Sequence, residues 1–275
     1  MENTLHKKLL YLLDMFIELC DKLDVKWFVD GGTLLGTIRS NSFIEWDDDI
    51  DICMHRHEFE RLTRYMRKHP HYKHCFFQDP VTDPNYFNIH ARLRLDGTTA
   101  ISKREFLLHS HKGIFIDIYP IDCIPDDTTN LIGFMRAICK DTDVEAEFDQ
   151  NKCLANKAEA YKAIQLMLDY TSLINRNSKK VGALVFSRYS KYKNVAVSDE
   201  AYVGSIKMPF EGRLVYVPQG YDEILRLWYG DDYMKPKNEP AFHSTFIDPD
   251  NDYKMYNAGA YDLVETENGL EMRLL

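Results

Sequence analysis

A chain of 275 residues, 45% hydrophobic and 28% charged, is long enough to bury a sizeable core and too apolar for a disordered segment. Its formal net charge of -9 argues against a general affinity for nucleic acid or anionic membrane, since both need a positive field. No run approaches the roughly 18 apolar residues that cross a bilayer, and Met1 to Lys8 lacks the basic start and apolar centre of a signal peptide, so the expected address is the cytoplasm.

Apolar residues recur at Leu9, Leu12, Leu13, Phe16, Ile17, Cys20 and Leu23, the spacing of one helical face, which predicts an amphipathic helix over Thr4 to Leu23. Lys26 to Val29 reads as a short strand that runs into the turn Asp30-Gly31-Gly32 and then a helix from Thr33 to Arg39. Ile50 to Met54 has strand composition, and Glu58 to Lys68 reads as a helix with Phe59, Leu62, Tyr65 and Met66 inward. Further strands are predicted at Cys75 to Gln78, Asn88 to Leu95 and Ile114 to Tyr119.

The texture changes beyond Asp126, where Leu131 to Cys139, Tyr161 to Ile174 and Gly182 to Tyr189 read as helices. Arg213 to Val217 resembles a strand, Tyr221 to Trp228 a helix, and Lys235 to Asp252 a polar loop. The expected architecture is α+β: a mixed sheet flanked by helices in residues 1–125, and a mainly helical part in 126–275, the two forming one continuous domain or two. Six cysteines are spread without a Cys-x-x-Cys pair, so they read as reduced thiols, mostly in the core.

The chemistry concentrates in Trp46-Asp47-Asp48-Asp49-Ile50-Asp51-Ile52. Side chains alternate along a strand, which places Asp49 and Asp51 on one face and Ile50 and Ile52 in the opposite layer. Two carboxylates on one face repel, and a hard divalent cation with oxygen ligands offsets the repulsion; Mg²⁺ or Mn²⁺ is the candidate. Asp47 and Asp48 suit a loop or cap instead. Asp117, alone in the apolar run Gly113 to Pro120, is the natural third ligand, with a structural salt bridge as the alternative. Asp122, just past that strand, suits a turn or cap.

The turn Gly31-Gly32-Thr33 follows a strand and opens a helix, where backbone amides attract phosphate. It lies about fifteen residues before the Asp-x-Asp pair, so phosphate cradle and metal ligands belong to one site. Arg39, at the end of that helix, can reach a phosphate as a bidentate donor. Arg92 and Arg94 face one way on their strand and can balance donor phosphates or the acidic cluster; the alternative is an exposed basic strand face. Lys207, Arg213 and His243 carry weaker signals. The histidine pairs His55/His57, His69/His71 and His109/His111 lack partners for a zinc set. No Walker loop, Gly-x-Ser-x-Gly elbow or Gly-x-Gly-x-x-Gly signature is present.

Gly31 to Gly36 with Arg39, then Phe43 to Ile52, resembles the LicD family, which includes bacterial phosphocholine transferases and is related to fukutin-type proteins. The likeness continues at Gly113 to Asp122 and at Pro218 to Pro236, including Tyr221-Asp222 and Tyr229-Gly230-Asp231-Asp232-Tyr233-Met234, and leaves Asp127 to Ile206 unmatched. Glu45 departs from the proline common in relatives. The resemblance implies a nucleotidyltransferase-like core in which Asp49, Asp51 and Asp117 match the acidic metal triad and Gly31-Gly32 the phosphate-side turn. It implies further a CDP-linked alcohol as donor, a glycan or lipid-linked glycan hydroxyl as acceptor, release of CMP, and peripheral membrane contact through the acceptor. Asp117 or another triad acid is the candidate base. Two rivals stand beside this: transfer of a nucleoside monophosphate with release of pyrophosphate, and a silent glycan-binding relative whose aspartates hold a structural cation.

Overall fold

The computed structural model describes residues 4–44, 47–86, 88–129, 131, 133, 150–185, 195–236, 245–267 and 269–275. Glu45, Trp46, His243 and nearly all of the helix expected at Leu131 to Cys139 lie outside the described residues. The opening helix α1 (Thr4–Leu23) buries Leu9, Leu12, Leu13, Phe16, Leu19 and Cys20, close to the face its periodicity predicts, and it packs on the central sheet.

That sheet is mixed. Strands β1 (Phe28–Val29), β2 (Asp51–His55), β3 (His71–Tyr72), β4 (Cys75–Gln78), β5 (Ala91–Leu95) and β7 (Phe115–Cys123) lie in the order β1-β2-β7-β5-β4-β3. β2 and β7 run parallel; β1 with β2, β5 with β7, β4 with β5 and β3 with β4 run antiparallel. Helix α2 (Gly31–Ser40) crosses between β1 and β2, and α3 (Arg56–Met66) follows β2 and packs on β2 and β7. Between β5 and β7 the chain adds β6 (Thr99–Ser102) and the short helix α4 (Lys103–Phe106), which opens on a capping box between Ser102 and Glu105. The expected α+β architecture with a mixed sheet is what the structure shows.

Beyond Asp126 the described residues are richer in strand than the sequence suggests. Helix α5 (Gln150–Ile174) packs on β7. Of the helix expected at Gly182 to Tyr189, residues 186–189 lie outside the described residues and Gly182 instead ends β8 (Lys180–Gly182), which pairs with the end of β7 and with β9 (Val197–Ser198). β10 (Ser205–Phe210) and β11 (Arg213–Pro218) form a hairpin whose turn, Glu211 at φ 48 and Gly212 at φ 77, takes the left-handed conformation of a tight hairpin connection. Helix α6 (Tyr221–Tyr229) is as expected, whereas the polar loop contains β12 (Thr245–Asp248), paired antiparallel with β6, and a second hairpin closes the chain as β13 (Tyr261–Thr266) and β14 (Gly269–Leu274). Pro209 inside β10 and Pro249 beside β12 mask their strand signal.

Cys20, Cys53 and Cys75 are buried and Cys123 is half-buried, all as free thiols. No helix among the described residues is long and apolar enough to cross a membrane.

Candidate metal centre

The parallel pairing of β2 with β7 places Asp51 directly opposite Asp117. A backbone bond supports that register, the Asp117 amide donating to the Ile50 carbonyl at 2.9 Å, while the Asp30 amide donates to the Asp51 carbonyl at 3.0 Å and ties the end of β1 to β2. Ile50 and Ile52 are wholly buried in the opposite layer, as strand alternation predicts. Asp49, Asp51 and Asp117 each direct one carboxylate oxygen to a common point, with those atoms within 4.8 Å of one another. Burial, reinforced by the nearby Asp49, Asp117, Asp30 and Asp47, holds the Asp51 carboxyl well above the usual carboxylate range. Three converging hard oxygens with a surplus of negative charge fit Mg²⁺ or Mn²⁺.

The glycine turn is built against these acids. Helix α2 starts at Gly31, two residues before the start read from sequence, and Asp30 occupies its N-cap position without a side-chain capping bond. Gly31 adopts φ +52, and a Cβ there would fall 2.2 Å from Asp51 Oδ2; a Cβ on Gly32 would lie 2.8 Å from both carboxylate oxygens of Asp47. The positive end of the α2 dipole therefore faces the acidic centre, and no larger residue fits. Asp47, expected in a plain loop, is drawn into this cluster. Thr33 is buried, its hydroxyl accepting from the Asp51 amide at 3.0 Å, so its side chain braces β2.

Asp117 combines both alternatives the sequence leaves open, cluster member and salt bridge. Its Oδ1 accepts from Arg92 Nε at 2.6 Å and contacts His90 Nε2 at 3.2 Å, and its Oδ2 accepts from the Tyr119 hydroxyl at 2.9 Å. Although burial opposes ionisation, Arg92 and His90 outweigh it and hold this carboxyl well below its ordinary range. Arg92 also donates to Glu105 at 3.1 Å and lies 3.7 Å over the Phe115 ring. Arg94 is fully buried and donates to Gln78, to the Gly113 carbonyl at 2.8 Å and to Glu105 at 2.6 Å. The exposed basic strand face is thus replaced by a buried network, and of the two arginines only Arg92 touches the acidic centre.

Arg39 points elsewhere. Its guanidinium donates to the Tyr233 carbonyl and, at 3.0 Å, to the Lys235 carbonyl, tying α2 to the segment after α6. Asp122 lies inside β7, not in a turn, and makes a buried two-point ion pair with Arg56 at 2.7 and 2.9 Å. Arg213 pairs with Asp14 at 3.0 and 2.9 Å, and Lys207 lies over Tyr216. Among the described residues, no histidine or cysteine set converges on one point as the three aspartates do.

Sequence reasoning gave no role to His90, Tyr119 or Tyr229. The Tyr229 hydroxyl, at the end of α6, is pushed well up by burial and by the charges of Asp51, Asp30, Asp47 and Asp49, and so lies within electrostatic reach of the acidic centre. Its only sequence signal is its place in the C-terminal motif. A shallow hollow lined by Leu5, Ala100, Ile114, Phe115, Thr245 and Ile247 lies beside Asp48 and Asp49.

Residues 24–138 match the protein family described as LicD/FKTN/FKRP, nucleotidyltransferase domain, an interval that contains the glycine turn and all three aspartates. The chain is 29% identical over 242 residues to the lipopolysaccharide cholinephosphotransferase LicD of Haemophilus influenzae, covering 82% of this chain and 88% of that protein.

Proposed function

We propose, from the LicD-family domain that residues 24–138 carry, that the chain is a metal-dependent transferase. It moves a phospho-alcohol of the phosphocholine type from a CDP-linked donor to a glycan hydroxyl and releases CMP. The observation that carries this reading is the convergence of Asp49, Asp51 and Asp117 at the N-terminus of α2. The relative named as a lipopolysaccharide cholinephosphotransferase supports the cargo and the acceptor class.

In the reaction, the acceptor oxygen forms a bond to the phosphorus that carries the alcohol, and the bond from that phosphorus to the bridging oxygen breaks. CMP leaves with the electron pair, and the hydroxyl proton passes to a base. A divalent ion held by the three aspartates supplies positive charge to the pyrophosphate. The chain's own contribution is placement: Thr33 and the Ile50 carbonyl set the two strands, and Arg92, His90 and Tyr119 fix the Asp117 carboxylate.

The test is to incubate the purified protein with CDP-choline, CDP-ribitol, CDP-glycerol and CDP-ethanolamine, with and without Mg²⁺ or Mn²⁺, and to follow thermal stabilisation and slow CMP release. A metal-dependent response to one donor identifies the cargo. Silence with all four, together with pyrophosphate release from a nucleoside triphosphate, replaces this reading with nucleotidyl transfer.

A further inference from the structure

Asp51 and Asp117 stand on paired strands, whereas Asp49 lies before β2, outside any helix or strand. It belongs to the segment from Asn41 to Ile50 that joins α2 to β2. A metal ligand on irregular backbone is placed only as well as the backbone itself is held. At its start the segment is tied to two neighbours. The Ser42 amide donates to the Gly36 carbonyl of α2 at 3.4 Å, the Phe43 amide donates to Glu211 Oε1 at 3.3 Å, and the Phe43 ring meets Phe210 of β10 edge-on at 4.9 Å.

Nearer to Asp49 the opening helix takes hold. His6 of α1 directs Nε2 at the Asp47 carbonyl, 2.9 Å away, and its ring stacks on Phe43 with centroids 3.9 Å apart and planes at 14°. A carbonyl only accepts, so the ring nitrogen is the donor. His6 lies three residues before Leu9 and seven before Leu13, and so shares the face that α1 buries. Asp47 in turn closes over the glycine turn, its carboxylate oxygens 2.8 Å from where a Cβ on Gly32 would stand. One side chain therefore grips the segment at Phe43 and again at Asp47, two residues before a metal ligand. It does so from a helix that precedes residues 24–138, the interval matched to the LicD family. A bond to a main-chain carbonyl fixes the path of the backbone whatever side chains the segment carries.

We infer that His6 is a positioning residue of the metal centre: it holds the segment from Asp47 to Asp49 so that the Asp49 carboxylate meets those of Asp51 and Asp117. It acts through the backbone and is not itself a ligand. The inference rests on the metal-dependent reading of the three aspartates.

Two variants divide what the histidine contributes. His6→Phe keeps a ring to stack on Phe43 and removes the donor, while His6→Gln gives up the ring and offers an amide N–H in the same region. The full chain is first studied without metal, by melting and by hydrogen exchange of the backbone amides of residues 43–50, and is then titrated with Mn²⁺ in the absence of any donor. His6→Phe should melt with the parent, exchange faster in this segment alone and bind Mn²⁺ about tenfold more weakly; His6→Gln should restore both properties. Parent-like exchange and Mn²⁺ affinity in His6→Phe overturn the inference, because stacking then suffices. So does a His6→Gln variant as weak towards Mn²⁺ as His6→Phe, or a His6→Phe variant that melts well below the parent and exchanges faster throughout, since His6 is then a general packing residue. A parent protein that binds no Mn²⁺ sinks the metal reading instead, and exchange in the metal-free segment still decides whether His6 holds it.

Discussion

Asp51 of β2 and Asp117 of β7 are direct partners in a parallel register, and their environments push their carboxyls in opposite directions. Arg92 and His90 offset the charge of Asp117, whereas Asp51 lies among further acids. A divalent ion at their shared edge relieves that imbalance, so binding should appear as stability. Mn²⁺ at a hundredfold excess over its Kd should add about 2.7 kcal/mol, a rise in Tm of roughly 5 to 10 °C for a chain of this size. Asp51→Asn should remove this response and abolish turnover, while the metal-free variant melts no lower than the parent because one repelling charge is gone. Asp48→Asn should keep both. Calorimetric melts with metal and with chelator decide it, and a full Mn²⁺ response in Asp51→Asn excludes this centre.

The two glycines with left-handed backbones in residues 1–125 make a controlled pair. Gly31 has φ +52 and a carboxylate oxygen 2.2 Å from where a Cβ would stand, while Gly97 has φ +71 and nothing within 4 Å. Gly97→Ala should cost about 1 to 2 kcal/mol from backbone strain alone and leave turnover intact. Gly31→Ala meets the same strain and also displaces Asp51, so its loss of turnover should far exceed its loss of stability. Urea denaturation beside donor turnover separates the two, and equal turnover in both variants would show that the Gly31 contact has no functional weight.

Much of this centre is legible locally. The alternation around Ile50 and Ile52, the Gly-Gly turn after a strand, and a lone acid in an apolar run are patterns of neighbouring residues, and they bring Asp49, Asp51, Asp117 and Gly31 to notice. Partnerships across the chain are not written that way. Arg39 reads as a phosphate ligand because nothing nearby shows that the Tyr233 and Lys235 carbonyls await it. Arg94 reads as a partner for phosphates or the acidic cluster, or as part of an exposed face, because alternation gives its direction but not the Glu105 and Gln78 groups that cover it. β12 is four residues long and exists through its pairing with β6, a long-range contact with no local period. His90 lies in an irregular segment before β5, and only the β5–β7 pairing brings it to Asp117.

Arg92 allows the sequence reading and the structure to be separated by experiment. As a donor-phosphate ligand, its loss would raise KM and spare stability. As the bridge between Asp117 and Glu105, its replacement in Arg92→Met leaves buried acids without their counter-ion, a loss of about 3 to 5 kcal/mol. Arg92→Lys keeps the charge without the planar fork and should fall between the two. Urea midpoints measure the stability, and a fully stable Arg92→Met with only KM changed would return Arg92 to the phosphate role.

Glu60 of α3 is hydrogen-bonded to Asp169 of α5. Burial, followed by the hydrogen bond and charge of Asp169, raises Glu60 to about 7. A carboxyl whose folded value lies above its unfolded one favours folding while protonated. Its contribution is complete below the unfolded value near 4.5 and is lost as pH rises through about 7. Glu60→Gln keeps a donor towards Asp169 and cannot ionise, so it should match the parent protein at pH 5 and melt above it at pH 8. Melting curves across that range test the sign, and parallel curves for the two proteins would show that Glu60 gains no stability from its proton.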